Sequence, residues 1–81
     1  MSNYLGTFKT FYKFNKINDK DPIVFIHGIG LTNEIWNPQI DYFKNYNTVV
    51  YDLIGHGKTP LAKTNITMPT FTKQLVELIN E

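Results

Sequence analysis

Two short runs of this 81-residue chain hold residues that could do chemistry. His27-Gly28-Ile29-Gly30 closes the apolar run Ile23-Val24-Phe25-Ile26, and Asp52-Leu53-Ile54-Gly55-His56-Gly57-Lys58-Thr59 closes a second run that begins at Asn47. A strand ending in Gly-x-Gly lets the main chain turn sharply and lets a ligand approach the backbone closely. Backbone N–H groups exposed there can donate to a developing negative charge. The C-terminal ends of parallel strands are also where open α/β sheets bind ligands. Taken alone, the first loop reads more readily as a structural turn that needs glycine. His27 and His56 have the side chains of a general base or a metal ligand, and Asp52 that of an acid. Two His without a third ligand at motif spacing do not make a zinc site, so no metal site is predicted.

Composition narrows the field. With 42% hydrophobic and 15% aromatic residues, the chain belongs among globular proteins rather than disordered ones. A net charge of +1 favours no polyanionic partner, so nucleic acid is not expected. All eight cations are Lys, and without Arg there is no bidentate clamp for phosphate or carboxylate. No Cys is present, which removes thiolate catalysis, disulfides and Cys-based metal sites. A reducing cytoplasm is the default compartment for such a chain. Neither a signal segment nor a bilayer-spanning run is visible, so no membrane partner is expected. No cofactor is implied either.

The elements that must position these loops follow from periodicity. Thr7 to Asn15 alternates with a period of two and is rich in aromatics, which argues a half-buried strand, preceded by a short one near Asn3 to Gly6. Asn18 to Pro22 is a polar breaker. Ile23 to Ile26 is continuously apolar, as suits a central parallel strand buried on both faces. Asn37-Pro38 fits an N-cap with Pro at the first helical position, and Asn47 to Asp52 is the next strand. The stretch between the two strands is long enough for a helical crossover. Thr67 is a fitting N-cap for a last helix that runs to Glu81, with Met68, Phe71, Leu75, Leu78 and Ile79 as its buried stripe. The order β-β-β-α-β-α is an α/β pattern, mostly parallel, in one domain over residues 1–81.

Together the two runs resemble the α/β-hydrolase superfamily. The family carries a His-Gly-x-Gly or His-Gly-x-Pro loop after one central strand. It then has a Trp, a helix, and a strand ending in Asp-x-x-Gly-x-Gly-x-Ser/Thr. Here stand His27, Gly28, Ile29 and Gly30, then Trp36, then Asp52, Gly55, Gly57 and Thr59, in order and at normal spacing. The resemblance covers Ile23 to Glu81. It implies that the Ile29 N–H gives half of an oxyanion hole, with Gly28 and Gly30 holding the loop open for substrate. It implies that His27 and His56 support loops and that Asp52 is a turn former, because the triad acid follows the nucleophile in this family. Trp36 and Phe43 are expected in the core.

The family nucleophile lies in Gly-x-Ser-x-Gly, and this sequence has no such motif; its only Ser is Ser2. The expectation is the N-terminal part of a serine hydrolase, with the sheet broken off before the nucleophile strand. Its substrate would be a small ester, lactone or related carbonyl compound. In the family, Ile23–Ile26 lies between the strand Thr48–Asp52 and the nucleophile strand. Its bare edge should invite self-association, and the 81 residues alone should be inactive and weakly stable or oligomeric. Two other readings compete. One is a non-catalytic half-fold that pairs with a partner. The other is a Rossmann-like dinucleotide module, for which position 33 is Asn where the fingerprint wants Gly.

Overall fold

The computed structural model describes residues 4–62 and 66–80. Four strands form one mixed sheet: β1 (Tyr4–Leu5), β2 (Thr10–Asn15), β3 (Ile23–Ile26) and β4 (Thr48–Tyr51), in spatial order β1-β2-β4-β3. The first two pairings are antiparallel, and β3 runs parallel to β4 with Ile26 opposite Tyr51. Two helices complete the fold, α1 (Asn37–Tyr42) and α2 (Met68–Ile79).

The alternating pattern from Thr7 becomes strand only at Thr10. Residues 6–9 form the β1–β2 turn, closed by a 3.1 Å hydrogen bond from Lys9 N–H to Gly6 O. Both of those end residues have positive φ, a conformation that breaks the extended pleat.

The strand buried on both faces is β4, not β3. All four β4 residues are buried, because β2 and β3 flank it and the residues of α2 pack on one of its faces. In β3 only Val24 and Phe25 are half-buried, while Ile23 and Ile26 remain exposed. The apolar run forms a strand, as its pattern predicts, but it lies at the end of the described sheet, with β4 as its one neighbour there.

Strand alternation sends Val24 and Phe25 to opposite faces. Val24 joins Val49, Tyr51, Leu53 and Tyr12 against Phe71, Leu75 and Leu78 of α2. Phe25 meets Trp36 and Phe43 on the other face, with ring centroids 5.2 and 6.1 Å apart. Thus α2 covers one face of the sheet, and Trp36 and Phe43, which flank α1, cover the other.

The first helical segment begins a turn earlier than Asn37. A 3-10 turn, Asn33–Trp36, starts after Thr32, whose hydroxyl accepts from Glu34 N–H, and runs directly into α1. Asn37 is consequently helical itself rather than a cap. Thr67 does precede α2, and Thr70 Oγ1 accepts from Thr67 N–H at 3.2 Å. The buried stripe of α2 differs from expectation at its ends: Met68 and Ile79 are exposed, and Gln74 is fully buried among the apolar residues. Glu81 lies outside the described residues.

Candidate active site: the loops after the two parallel strands

Because β3 and β4 are parallel and in register, the loops that leave them start side by side. His27 is buried at the first of these junctions, and its Nε2 accepts from Leu53 N–H at 3.0 Å. An accepting Nε2 carries no proton, so the Nδ1–H donates, here to Gly28 O at 2.7 Å. His56 repeats the arrangement from the other side. Its Nε2 accepts from Gly30 N–H at 3.0 Å, and its Nδ1 lies 3.0 Å from Ile54 O. The two rings are 5.3 Å apart. Each imidazole thus stitches one loop to the other, with both nitrogens engaged by backbone groups.

Between them the chain makes a tight turn. Leu31 N–H donates to Gly28 O at 3.1 Å, and Gly30 at its third position has φ +87°, the pattern of a type II turn. That φ explains glycine at 30. At 28 a Cβ would meet only ordinary contact, with Leu31 Cδ1 at 3.7 Å. Gly30 N–H is committed to His56, so Gly30 is scaffold and offers a ligand no free donor there. Ile29, in the second position, is 72% exposed, and no group among the described residues accepts from its N–H.

The loop after β4 is organised around the buried Asp52 carboxylate. Its Oδ1 accepts from Asn33 N–H at 2.7 Å and from Asn33 Nδ2 at 2.8 Å, and its Oδ2 accepts from Lys58 N–H at 2.9 Å. Such a carboxylate is internal and cannot reach a ribose, which removes the residue that a dinucleotide fingerprint would need. Gly57 makes the geometry feasible: at φ +49°, a Cβ there would lie 2.3 Å from Asp52 Oδ2. The Asp52 carbonyl accepts from the Thr59 hydroxyl at 2.8 Å and from Gln74 Nε2 at 2.9 Å. Thr59 Oγ1 in turn accepts from Phe11 N–H, which ties the turn to β2. Gln74 reaches further, donating to Thr10 Oγ1 and accepting from Ile54 N–H.

Asn33 and Gln74 are the two site residues that sequence reasoning missed. Gln74 had a signal. It lies three residues after Phe71 and four before Leu78, so helical spacing places this polar residue on the buried face. Asn33 had none, since its partner is 19 residues away. Trp36 packs on Phe25 and belongs to the α1 layer. Just before Asp52, the buried Tyr51 has its hydroxyl pKa pushed up to about 12 by desolvation. Among the described residues, no three His, Cys, Asp or Glu side chains gather as a metal would require, and no helix is long and apolar enough to cross a membrane.

A β3–α1–β4 crossover with a turn of free backbone donor at one strand end and a carboxylate-locked Gly turn at the other defines an α/β-hydrolase-type scaffold. Comparison with known proteins agrees. The chain is 36% identical, over 74% of its own length and 23% of the relative, to (E)-2-((N-methylformamido)methylene)succinate hydrolase of Acinetobacter baylyi. It is 46% identical, over 49% of its length and 17% of the relative, to a pimeloyl-[acyl-carrier protein] methyl ester esterase of Legionella pneumophila. Its fold matches an esterase of Exiguobacterium antarcticum with a TM-score of 0.85, at 21% identity, over 99% of this chain and 31% of that one. No protein-family model matches the chain. The chain belongs to the α/β-hydrolase superfamily and has the fold of its N-terminal part. It spans about a quarter of the length of the first of these relatives.

Proposed function

We propose that this chain is the oxyanion-loop portion of an α/β-fold serine hydrolase acting on an ester, lactone or related carbonyl compound. The observation that carries the proposal is the exposed Ile29, whose N–H has no acceptor among the described residues, in a turn tied by His56 and His27 to the neighbouring loop. A fixed donor of this kind stabilises the oxyanion of a tetrahedral intermediate without reorganising during the reaction. The nucleophile, the second donor, the acid and the base would come from polypeptide outside these 81 residues, since no Gly-x-Ser-x-Gly occurs in them. The relatives, a hydrolase and a methyl ester esterase, support carbonyl substrates of this class. A Cys-free composition fits a reducing cytoplasm as the working compartment.

The test is a graft. Residues 4–80 replace the matching portion of the Exiguobacterium esterase, and hydrolysis of a small activated ester is followed. The graft should hydrolyse the ester through the host nucleophile, and the 81-residue chain alone should show no turnover. A folded but inert graft, or turnover by the chain alone, would contradict the reading.

A further inference from the structure

Residues 29–31 hang on one side chain. Among the described residues, the bond from Gly30 N–H to His56 Nε2 is the single hydrogen bond by which they reach beyond their own turn. His56 itself is pinned. Its N–H donates to Leu53 O and its carbonyl accepts from Thr59 N–H, both at 2.9 Å. Its Nδ1 lies 3.0 Å from Ile54 O, which can only accept. The ring hydrogen therefore stands on Nδ1, and the Nε2 lone pair faces Gly30. One side of the contact is fixed, and the other is held by a bond that only a neutral ring can make.

We infer that His56 is a proton-operated latch on the Ile29 turn. A proton on Nε2 turns this acceptor into a donor, so two hydrogens face each other and Gly30 N–H is released. Imidazole is the side chain that ordinarily changes charge between about pH 5 and 8. The latched form binds no proton at Nε2 and the released form binds one, so acid favours release and base favours the latch.

The surroundings fit that role. His27 accepts from Leu53 N–H in the same way, but it is only 3% exposed, whereas His56 is half-buried and within reach of solvent protons. No carboxylate stands at ion-pair distance from either ring; among the described residues the ion pair is Lys16–Asp19. In the loop of His56, the Asp52 carboxylate is taken up by Asn33 and by Lys58 N–H, and the Lys58 ammonium stands 4.9 Å from the Phe11 ring centroid. Glu34, on the neighbouring 3-10 turn, is exposed. The titratable ring nearest to His56 is His27, at 5.3 Å, and a charge on both would repel. For the activity proposed above, on which this consequence rests, release frees the Ile29 N–H from its fixed position, so acid lowers kcat independently of the triad base.

NMR of the 15N-labelled 81-residue chain, from about pH 8 to about pH 5, tests the latch without any catalysis. At the alkaline end the His56 ring should carry its hydrogen on Nδ1. As the ring gains its second proton, the Gly30 amide should shift in step and lose about five- to tenfold of its exchange protection, while the Leu31 and Val50 amides keep theirs. His56→Gln sets an amide oxygen near the place of Nε2 and does not titrate, so its Gly30 amide should stay bonded at every pH. If the chain or the variant does not fold alone, residues 4–80 within the Exiguobacterium esterase undergo the same titration. In an active graft, His56→Gln should also flatten the acid limb of kcat. A hydrogen on Nε2 at the alkaline end, a Gly30 amide indifferent to ring protonation, a step that persists in His56→Gln, or equal acid limbs in active grafts would each overturn the inference. An inert graft whose Gly30 amide still follows His56 would overturn the proposed function and support the latch.

Discussion

The two loops that leave the parallel strands are built from the same residue types and do opposite things. The loop after β4 is closed: the Asp52 carboxylate, the Asp52 carbonyl, Thr59 and Gln74 spend their hydrogen bonds on one another and on nearby backbone. The loop after β3 is more open: among the described residues nothing accepts from the N–H of Ile29, at its exposed tip, while Gly30 N–H and the His27 ring are tied to the neighbouring loop. The difference teaches how a short chain makes a rigid donor. Hydrogen bonds centred on Asp52 brace one loop, and two imidazoles tie the other loop to it.

Substituting glycine in each loop should expose the contrast most strongly. Gly57→Ala would drive a methyl into the Asp52 carboxylate and leave the two buried donors of Asn33 without an acceptor, along with the part-buried Lys58 N–H. Unsatisfied buried donors cost about 1–3 kcal/mol each. The expected loss is therefore at least about 2 kcal/mol, out of the roughly 4–12 kcal/mol a chain of this length can hold. Urea unfolding measures it, and a loss below about 1 kcal/mol would mean that the carboxylate does not organise the turn.

The next effect sharpens the picture of the closed side from within β4. The Tyr51 hydroxyl is raised to about 12 from an ordinary 10 because burial disfavours the phenolate. Folding therefore favours the protonated form. The stability this represents is complete below pH 10 and is lost as pH rises towards 12. The expected loss is about 2–3 kcal/mol. Tyr51→Phe should flatten that part of the alkaline profile, read by unfolding at a series of pH values.

On the open side the same kind of change should do little. Gly30→Ala meets no atom within 4 Å and suffers only from φ +87°. A loss of about 1 kcal/mol follows from the left-handed backbone. Smaller still is Ile29→Ala, which removes a 72% exposed side chain and keeps the N–H. Its expected effect on unfolding is within about 0.5 kcal/mol. If Ile29→Ala destabilised as much as Gly57→Ala, the division into a closed and an open loop would fail.

Much of this frame was legible in the sequence, for physical reasons that also mark where legibility ended. Period-two aromatics and the two apolar runs announced the strands, and Gly-x-Gly at both strand ends announced the turns. Burial was harder to read. Ile23–Ile26 is more apolar than Thr48–Tyr51, yet the second is the buried strand, because burial depends on having neighbours on both sides. The site was legible where backbone conformation demanded a residue type, as at Gly30 and Gly57. It was not legible where a long-range partner did the work. Asn33 and Gln74 serve Asp52 across 19 and 22 residues, and no local pattern carries such a pairing. For Gln74, helical spacing alone carries a signal that the expected apolar stripe left out.

The central claim is that Ile29 contributes its N–H and little else. Proline is favoured at the second position of a type II turn, so Ile29→Pro removes the hydrogen while keeping the turn. In the esterase graft carrying residues 4–80, this variant should lower kcat by about 10²–10³-fold, while Ile29→Ala leaves kcat within a factor of about two and the fold, read by far-UV spectrum and unfolding, is kept in both. Equal activities of the Pro and Ala variants in folded grafts would contradict the assignment of the oxyanion donor to Ile29.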